Sequence, residues 1–375
     1  MRHRRSLAAV ALILSFTAAI ALPAIAGAQA QTETKAKKKK ADSLSTPKPK
    51  KVDSIPPPLF TSETPLAVTF TTNFRQLRGD KGQTSPWRSA TIAYSGSDGK
   101  SVTIPIKAKT HGIWRLAHCD IPPIRFNVSN KDAKGTLFHD IQKPKVVNAC
   151  RDRANYEQLL LQEMQLYRIY QVLTPVSHRV RTLRMTYVDS ASGKQEAIRY
   201  AFLFEDPGEL AGRFGGEMLK TKGAGPDDLD PTQSAIVFLF QFMIANTDFS
   251  FNGLHNGELI FKPDGMPLLP VAYDFDFSGA VNAPYATVDP RLAVKRVRDR
   301  QYRGYCVLKP EIPAAIALFQ QKKEAIYALY RDDIGKLLEE RIVKETLEYF
   351  DDFYDTIKSE RDAERGMLDS CVGPR

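Results

Sequence analysis

Four short oxygen-bearing side chains lie close together in the second half of the chain: Asp248, Asn256, Asp274 and Asp276. An apolar segment ends just before Asp248, and a predicted hairpin separates Asn256 from the two later carboxylates. A hairpin brings its two ends together, so we expect all four side chains at one site. Carboxylate and amide oxygens in this arrangement hold Mg²⁺ and orient a hydroxyl in phosphoryl-transfer enzymes.

Phosphoryl transfer requires a carboxylate beside the acceptor hydroxyl and oxygen ligands that hold a metal against the phosphates. We therefore assign Asp248 as the catalytic residue, and Asn256, Asp274 and Asp276 as ligands of Mg²⁺ or Mn²⁺. Asn252 lies in the same loop and is an alternative to Asn256. The competing interpretation is structural, because Asp248 also fits a turn cap and the two later acids also fit a solvated strand edge.

A cation from another part of the chain has to meet the phosphates of the nucleotide. Arg125, between two apolar residues of a predicted strand, is the first candidate, and Lys145 is the second. Glu163, on a predicted helix, is expected to pair with one of them, and Glu205 completes the candidate cofactor-binding set. The alternative is that Arg125 and Lys145 are solvent-facing strand residues and that Glu163 is an ordinary helix-surface residue.

The elements that position these residues follow from hydrophobic periodicity. Alternating segments predict strands at 66–74, 91–95, 101–107, 124–128 and 145–147, followed by a helix at 156–172 and strands at 179–187 and 197–204. Asp230 and Pro231 begin an apolar helix that continues to Ile244. The hairpin at 257–276 turns at residues 263–265, and two amphipathic helices are predicted at 311–330 and 332–362.

This order of elements predicts an α+β fold of two lobes, similar in layout to the protein kinases. The predicted N-lobe, residues 59–205, is β-rich with one helix. The predicted C-lobe, residues 206–375, is mainly helical and carries the catalytic hairpin.

The N-terminal residues are predicted not to belong to the folded body. Three arginines, an apolar run and the sequence Ala28-Gln29-Ala30 predict a signal peptide over residues 1–30, cleaved after about Ala30. Residues 31–58 hold eight lysines against three acids and predict a disordered Lys/Pro-rich linker. The formal net charge of +10 therefore shrinks to near +2 for the body, which argues against a nucleic-acid-binding surface.

The four cysteines, Cys119, Cys150, Cys306 and Cys371, predict two disulfides in an exported chain. Three pairings fit four cysteines. We favour Cys119 with Cys150 and Cys306 with Cys371, because each pair then stays within one half of the chain. The expected location is the periplasm or the cell exterior.

The order of these motifs resembles the catalytic region of the CotH-type atypical kinases and, more distantly, the HipA-type kinases. The segments that carry the resemblance are Asn246-Thr247-Asp248, His255-Asn256, Tyr273-Asp274-Phe275-Asp276, Gly112 with Pro122 to Asn127, the helix with Glu163, and Phe202 to Asp206. The resemblance spans roughly residues 105–290. It implies that Asp248 is the counterpart of the catalytic Asp, Asn256 of the metal-binding Asn and Asp274 of the metal-binding Asp.

The expected function is an exported phosphotransferase that uses a magnesium-bound nucleotide, ATP or another, to phosphorylate a hydroxyl of a protein or small molecule. The alternative is a non-catalytic envelope or binding protein on a related scaffold, which the lack of a Gly-rich phosphate loop favours. The Lys-rich linker could make a weak contact with the cell envelope.

Overall fold

Seven strands form a closed barrel in the computed structural model, which describes residues 56–81, 84–112, 114–265 and 267–373. The barrel strands are β1 (Leu66–Thr72), β2 (Arg88–Ser95), β3 (Ser101–Thr110), β4 (Ile124–Val128), β5 (Lys145–Asn148), β6 (Val180–Asp189) and β7 (Gln195–Phe204). Their order around the barrel is β1-β2-β3-β4-β5-β7-β6. The barrel closes because β6 pairs in parallel with β1, from Leu66 opposite Leu183 to Thr72 opposite Asp189.

The alternation seen in the sequence explains how this barrel is filled. In β1, Val68, Phe70 and Thr72 are buried while their neighbours are more exposed, so every second side chain points inward. Phe70 packs against Phe126 of β4 with ring centroids 5.1 Å apart. Aromatic side chains bury large apolar areas, so the barrel has a packed interior rather than a channel.

A second hydrophobic core lies among the helices and the outer side of the barrel. The helices are α1 (Phe74–Gly79), α2 (Trp114–His118), α3 (Ala154–Leu173), α4 (Pro207–Arg213), α5 (Pro231–Met243), α6 (Ile312–Ala328), α7 (Glu340–Thr356) and α8 (Glu360–Gly366). In α3 every residue from 161 to 170 is buried, so this helix is covered on all sides. Tyr167 of α3 contacts Phe204 of the barrel and Phe275 of the acidic segment, residues 274–276.

The apolar helix predicted from Asp230 is α5, and its start is confirmed. The Asp230 side chain accepts a hydrogen bond from the Gln233 N–H, and Pro231 occupies the first turn. After α5 come β9 (Gly257–Phe261) and β10 (Leu269–Ala272), which pair in antiparallel fashion. The short strand β8 (Glu217–Met218) adds to β9, so the predicted hairpin is part of a three-stranded sheet.

The predicted two-lobed, protein-kinase-like fold is wrong. The structure is a barrel-containing α+β fold, in which the described residues belong to one compact unit. The periodicity identified most of the strands, but it carried no information on their pairing across the chain. The parallel pairing of β6 with β1, more than 100 residues apart, turns an open sheet into a closed barrel. The helix predicted at 332–362 is also divided, into α7 and α8.

The signal peptide and its cleavage site lie outside the described residues, as does nearly all of the predicted linker. Both favoured disulfides are confirmed: Cys119 pairs with Cys150 and Cys306 with Cys371, with Cα atoms 4.4 and 5.0 Å apart. Disulfides indicate a non-reducing compartment. Within the described part of the chain, no helix is both long and apolar enough to cross a membrane.

The disulfides lead to the first testable prediction. Protein purified without reductant should expose no alkylatable thiol, and reduction should release four. Replacing both Cys306 and Cys371 with Ser should lower the free energy of unfolding by on the order of 2–4 kcal/mol, because the unfolded chain loses a cross-link. Urea denaturation followed by circular dichroism measures the change. Free thiols in the non-reduced protein would contradict this pairing.

Candidate functional site

The loop that follows α5 holds Asp248 by both of its carboxylate oxygens. His255 Nε2 lies 2.8 Å from Asp248 Oδ1, and Asn256 Nδ2 donates to Asp248 Oδ2 at 3.0 Å. The same amide nitrogen donates to the Asp248 carbonyl oxygen at 2.8 Å. These bonds fix Asp248 and also orient Asn256, whose side-chain oxygen Oδ1 has no hydrogen-bond partner among the residues the structure describes.

Arg303 supports this loop from the later part of the chain. Its guanidinium donates to the main-chain oxygens of Thr247 and Phe249, which flank Asp248, the second at 2.9 Å. The guanidinium also lies over the Phe249 ring, 4.9 Å from the centroid. The position of Asp248 therefore depends on a residue more than 50 positions away, which the motif in the sequence does not include.

Asn256 and Asp274 lie at the same end of the β9–β10 hairpin, and both have left-handed backbones. Their φ angles are +47° and +63°. The Tyr273 N–H donates to the Asn256 carbonyl oxygen at 3.3 Å, and the Asp274 N–H donates to the Tyr167 hydroxyl at 2.8 Å. Left-handed conformations cost about 1–3 kcal/mol for residues other than glycine and concentrate at functional sites. The hairpin thus brings Asp248, Asn256 and Asp274 together, as the sequence predicted.

A half-buried guanidinium connects the acidic segment to α3. Arg115 of α2 lies 3.8 Å from Glu163 and 4.0 Å from Asp276, and it donates to the Asn148 carbonyl oxygen. Glu163 is 2% exposed and Asp276 is 5% exposed. The predicted partner of Glu163 was Arg125 or Lys145, but the ion pair observed is with Arg115.

The carboxylates of this cluster outnumber the cation that neutralises them. Burial and then the neighbouring Asp274 raise the pKa of Asp276, against the effect of Arg115, to about 7. Burial, followed by Asp276, raises the pKa of Glu163. Burial also raises the pKa of Asp274, against the effects of Arg115 and Lys145. A divalent cation would balance this excess of negative charge.

A cationic group faces the acidic segment from the barrel. Lys145 Nζ lies 5.1 Å from the ring centroids of Phe204 and Tyr273, and Asp274 is among the carboxylates that interact with it. Burial lowers the pKa of Lys145, which makes an anionic ligand favourable at this position. Arg125 lies 3.5 Å from Asp206.

His111 lies among these cations. Burial, together with the nearby Lys145, Arg125 and Arg115, lowers the pKa of His111 to about 3. The ring is therefore neutral at physiological pH. Its Nε2 atom is buried and has no hydrogen-bond partner among the described residues. The barrel strands therefore supply two cations, Lys145 and Arg125, beside a ring nitrogen that has no partner among the described residues.

Glu205 does not join the other predicted residues. Its carboxylate accepts bonds from Arg213 at 2.9 and 3.0 Å and from the Arg179 N–H at 3.0 Å. These bonds join β7, α4 and the start of β6, so Glu205 supports the fold in this structure. The candidate site therefore does not include Glu205.

Arg115 is the functional residue that sequence reasoning missed. It lies on a helix of five residues, too short to show periodicity. One signal was available: Cys119, four residues later, forms the disulfide with Cys150 directly after β5. That disulfide brings α2 to the strand that carries Lys145. His178, which contacts Glu258 at 2.9 Å, was also missed, and we find no sequence signal for it.

The residues present fit a magnesium ion only in part. Within the described ranges, no group of three or more His, Cys, Asp or Glu side chains is arranged to hold a metal. Asn256 Oδ1 and the Asp274 carboxylate make no hydrogen bond with a described residue, so these oxygens are available to a metal. Asp276, the third predicted ligand, is engaged through Oδ2 with Arg115 and Tyr285. Two protein ligands are enough for Mg²⁺ at a nucleotide site, because phosphates and water complete its coordination.

No protein-family model matches the chain, and no curated protein matches it. The resemblance to the CotH-type kinases therefore stays a prediction.

The second testable prediction concerns pH. Asp276 has an ordinary pKa of 3.8 when unfolded and about 7 when folded, so the folded state binds the extra proton between these values. Stability that Asp276 contributes at acidic pH is thus lost as pH rises toward 7. Between pH 5 and pH 7, the free energy of unfolding of Asp276→Asn should therefore fall by less than that of the wild-type protein, with a difference on the order of 1–2 kcal/mol.

Urea denaturation of both proteins at pH 5, 6 and 7, without divalent cations, measures this difference. Asp98→Asn, at an exposed turn between β2 and β3, is the matched control and should leave the pH dependence unchanged. An equal pH dependence in wild type and Asp276→Asn would show that Asp276 titrates normally.

The third testable prediction concerns Arg115. Arg115→Met keeps most of the side-chain volume but leaves Glu163 and Asp276 without their shared cation. Removing one member of a buried ion pair costs about 3–5 kcal/mol. Arg151→Met, which breaks an exposed pair with Asp120, should cost less than about 1 kcal/mol. Equal effects of the two substitutions, measured by urea denaturation, would contradict a central role for Arg115.

Proposed function

We propose that this protein transfers a phosphoryl group from a nucleotide bound to Mg²⁺ or Mn²⁺ to a hydroxyl acceptor. One observation carries the proposal: Asp248, Asn256 and Asp274 converge at one end of the β9–β10 hairpin, and Lys145 faces them from the barrel. Phosphoryl transfer needs few reacting groups, because positioning and charge stabilisation account for most of the catalysis. The site contains the carboxylates, the amide oxygen and the cations that this requires.

Each residue has a separate role in the proposal. Asp248 accepts the proton of the acceptor hydroxyl, and His255 and Asn256 hold its carboxylate in one orientation. Asn256 Oδ1 and Asp274 hold the metal. When bound, the metal neutralises charge on the phosphates. Asp276 acts indirectly, because it anchors the acidic segment to Arg115 and to Tyr285, whose hydroxyl donates to it at 3.1 Å.

The barrel supplies the phosphate-binding cations. Lys145 has no carboxylate within ion-pair distance among the described residues, so its ammonium group is available to an anion. Arg125 contributes beside it, although it shares its charge with Asp206. His111 is neutral and offers its free Nε2 as an acceptor for a ligand donor group. Together they receive the charged end of a nucleotide.

We also propose export through a signal peptide cleaved after about Ala30, to the periplasm or the cell exterior. The confirmed disulfides support a non-reducing compartment. ATP is scarce outside the cytoplasm, so the donor is leaked ATP, another phosphoryl donor, or a nucleotide used before export. The hydroxyl acceptor is a protein or a small molecule.

A second candidate is a binding protein that holds an anionic ligand without transferring phosphate. Both carboxylate oxygens of Asp248 are occupied by His255 and Asn256, which favours this alternative. An acceptor hydroxyl would have to share an oxygen with one of these partners. The two candidates share the anion site at Lys145 and differ in whether Asp248 has a chemical role.

The fourth testable prediction separates the two candidates. Asp274→Asn should weaken metal-dependent nucleotide binding at least about tenfold, because the metal loses a carboxylate ligand. Asparagine is chosen because it tolerates the left-handed backbone at this position. Asp248→Asn should change nucleotide affinity less than about threefold but lower the transfer rate by about 10²-fold or more. Asp98→Asn is the exposed control and should change neither quantity.

The measurements are isothermal titration of ATP and other nucleotides with and without Mg²⁺ or Mn²⁺, and autophosphorylation with labelled ATP. Nucleotide binding without transfer would support the binding protein. If the wild-type protein binds no nucleotide with either metal, the proposed transfer from a nucleotide is ruled out. If Asp248→Asn unfolds the protein, Asp248 is a structural cap.

A further inference from the structure

A separate cavity of about 200 Å³ lies between the first half of α3, the loop at 281–284 and the start of α7. Its polar lining includes Asn155, Gln158, Gln162, Asn282, Arg298 and Thr346. None of the residues in the proposed phosphotransfer site lines it. A volume of this size holds roughly six or seven water molecules, or a small organic ligand.

The amide of Gln162 is the first sign that this cavity binds something. Gln162 is 8% exposed, and its side chain has no hydrogen-bond partner among the described residues. Gln158, one turn earlier, differs: its Nε2 donates to the Leu337 carbonyl oxygen at 3.0 Å, and its Oε1 accepts the Glu339 N–H at 2.9 Å. The Gln162 side chain lines the cavity, so its amide is available to an occupant, and a ligand that binds only the folded state stabilises the protein.

The guanidinium of Arg298 is the second, independent sign. It lies over the Tyr349 ring, 4.2 Å from the centroid, and the Tyr349 hydroxyl donates to the Arg298 carbonyl oxygen at 2.8 Å. Arg298 is therefore held in place, yet it has no carboxylate within 4.0 Å in the described part of the chain. The neighbouring Arg296 pairs with Asp299 at 2.7 Å.

We propose that this cavity binds a small carboxylate that also carries an amide, in the class of the N-acyl amino acids. A guanidinium binds a carboxylate through two parallel hydrogen bonds, so the carboxylate lies on Arg298. The ligand amide pairs with Gln162, which offers both a donor and an acceptor. Glu339, Arg341 and Glu345 also line the cavity. Arg341 pairs with Glu345 at 2.8 Å, which leaves Arg298 as the lining cation for the ligand and favours a single negative charge over a dianion such as phosphate. The binding site is independent of the phosphotransfer chemistry.

The probe is N-acetylglycine, titrated calorimetrically into the full chain. Its matched control is N-acetylglycinamide, which replaces the carboxylate with a neutral amide of the same shape. We expect saturable one-to-one binding of the acid and at least about tenfold weaker binding of the amide. Inorganic phosphate should bind more weakly than the acid.

Three variants locate the site. Arg298→Gln and Gln162→Met should each weaken N-acetylglycine binding by about tenfold or more. Arg296→Gln, on the same segment but outside this cavity, should leave binding unchanged. Asp274→Asn should also leave N-acetylglycine binding unchanged. A negative result for this cavity is therefore distinct from a negative result for the phosphotransfer proposal.

Several results would overturn the inference. If N-acetylglycine does not bind, the cavity holds only water. Equal binding of acid and amide, tighter binding of phosphate, or full affinity in Arg298→Gln would each contradict a carboxylate site at Arg298. If Arg298→Gln does not fold, Gln162→Met and the acid–amide comparison in the wild-type protein decide the question.

Discussion

The half-buried Arg115 guanidinium joins three parts of the chain that are distant in sequence. It contacts Glu163 of α3, Asp276 of the acidic segment and the Asn148 carbonyl oxygen at the end of β5. Each partner belongs to a different structural unit: a core helix, the segment after a small sheet, and the barrel. A charge buried at this junction is stable only when its partners are in place, so the junction constrains all three units together.

The same ion pairs set the electrostatics of the candidate site. One guanidinium does not balance the carboxylates of Glu163, Asp274 and Asp276, and burial keeps water from compensating. The acidic side therefore favours a cation, while Lys145 on the barrel favours an anion. A metal bound to phosphate satisfies both preferences at once, which is why we favour phosphoryl transfer over a simple cation site.

The disulfides act at different distances from this site. Cys119–Cys150 ties α2, which carries Arg115, to the end of β5, whose first residue is Lys145. This disulfide therefore links Arg115, which contacts the carboxylates, to the strand of Lys145, which faces them. Cys306–Cys371 joins the C-terminal residues to the segment before α6, so its effect is on the helical core.

Local patterns determined much of the protein. Alternation located the strands, Asp230 with Pro231 began α5, and the even cysteine count with the half-chain argument gave the disulfide pairs. The convergence of Asp248, Asn256 and Asp274 also followed from sequence, because a hairpin necessarily brings its ends together. Apart from the disulfides, these features depend on neighbours within a few residues or on one short connection, which the sequence contains directly. The disulfide pairs, 31 and 65 residues apart, followed from the number of cysteines and their distribution along the chain.

Tertiary structure alone decided the rest. Three features depend on contacts between distant segments: the closure of the barrel by β6 and β1, the pairing of Glu163 with Arg115, and the cavity at Gln162 and Arg298. Periodicity shows which face of a strand is buried but not which strand lies beside it. For that reason the fold class was wrong while most elements were right. A buried cation can pair with any carboxylate that the fold brings near, and only the packed chain selects one.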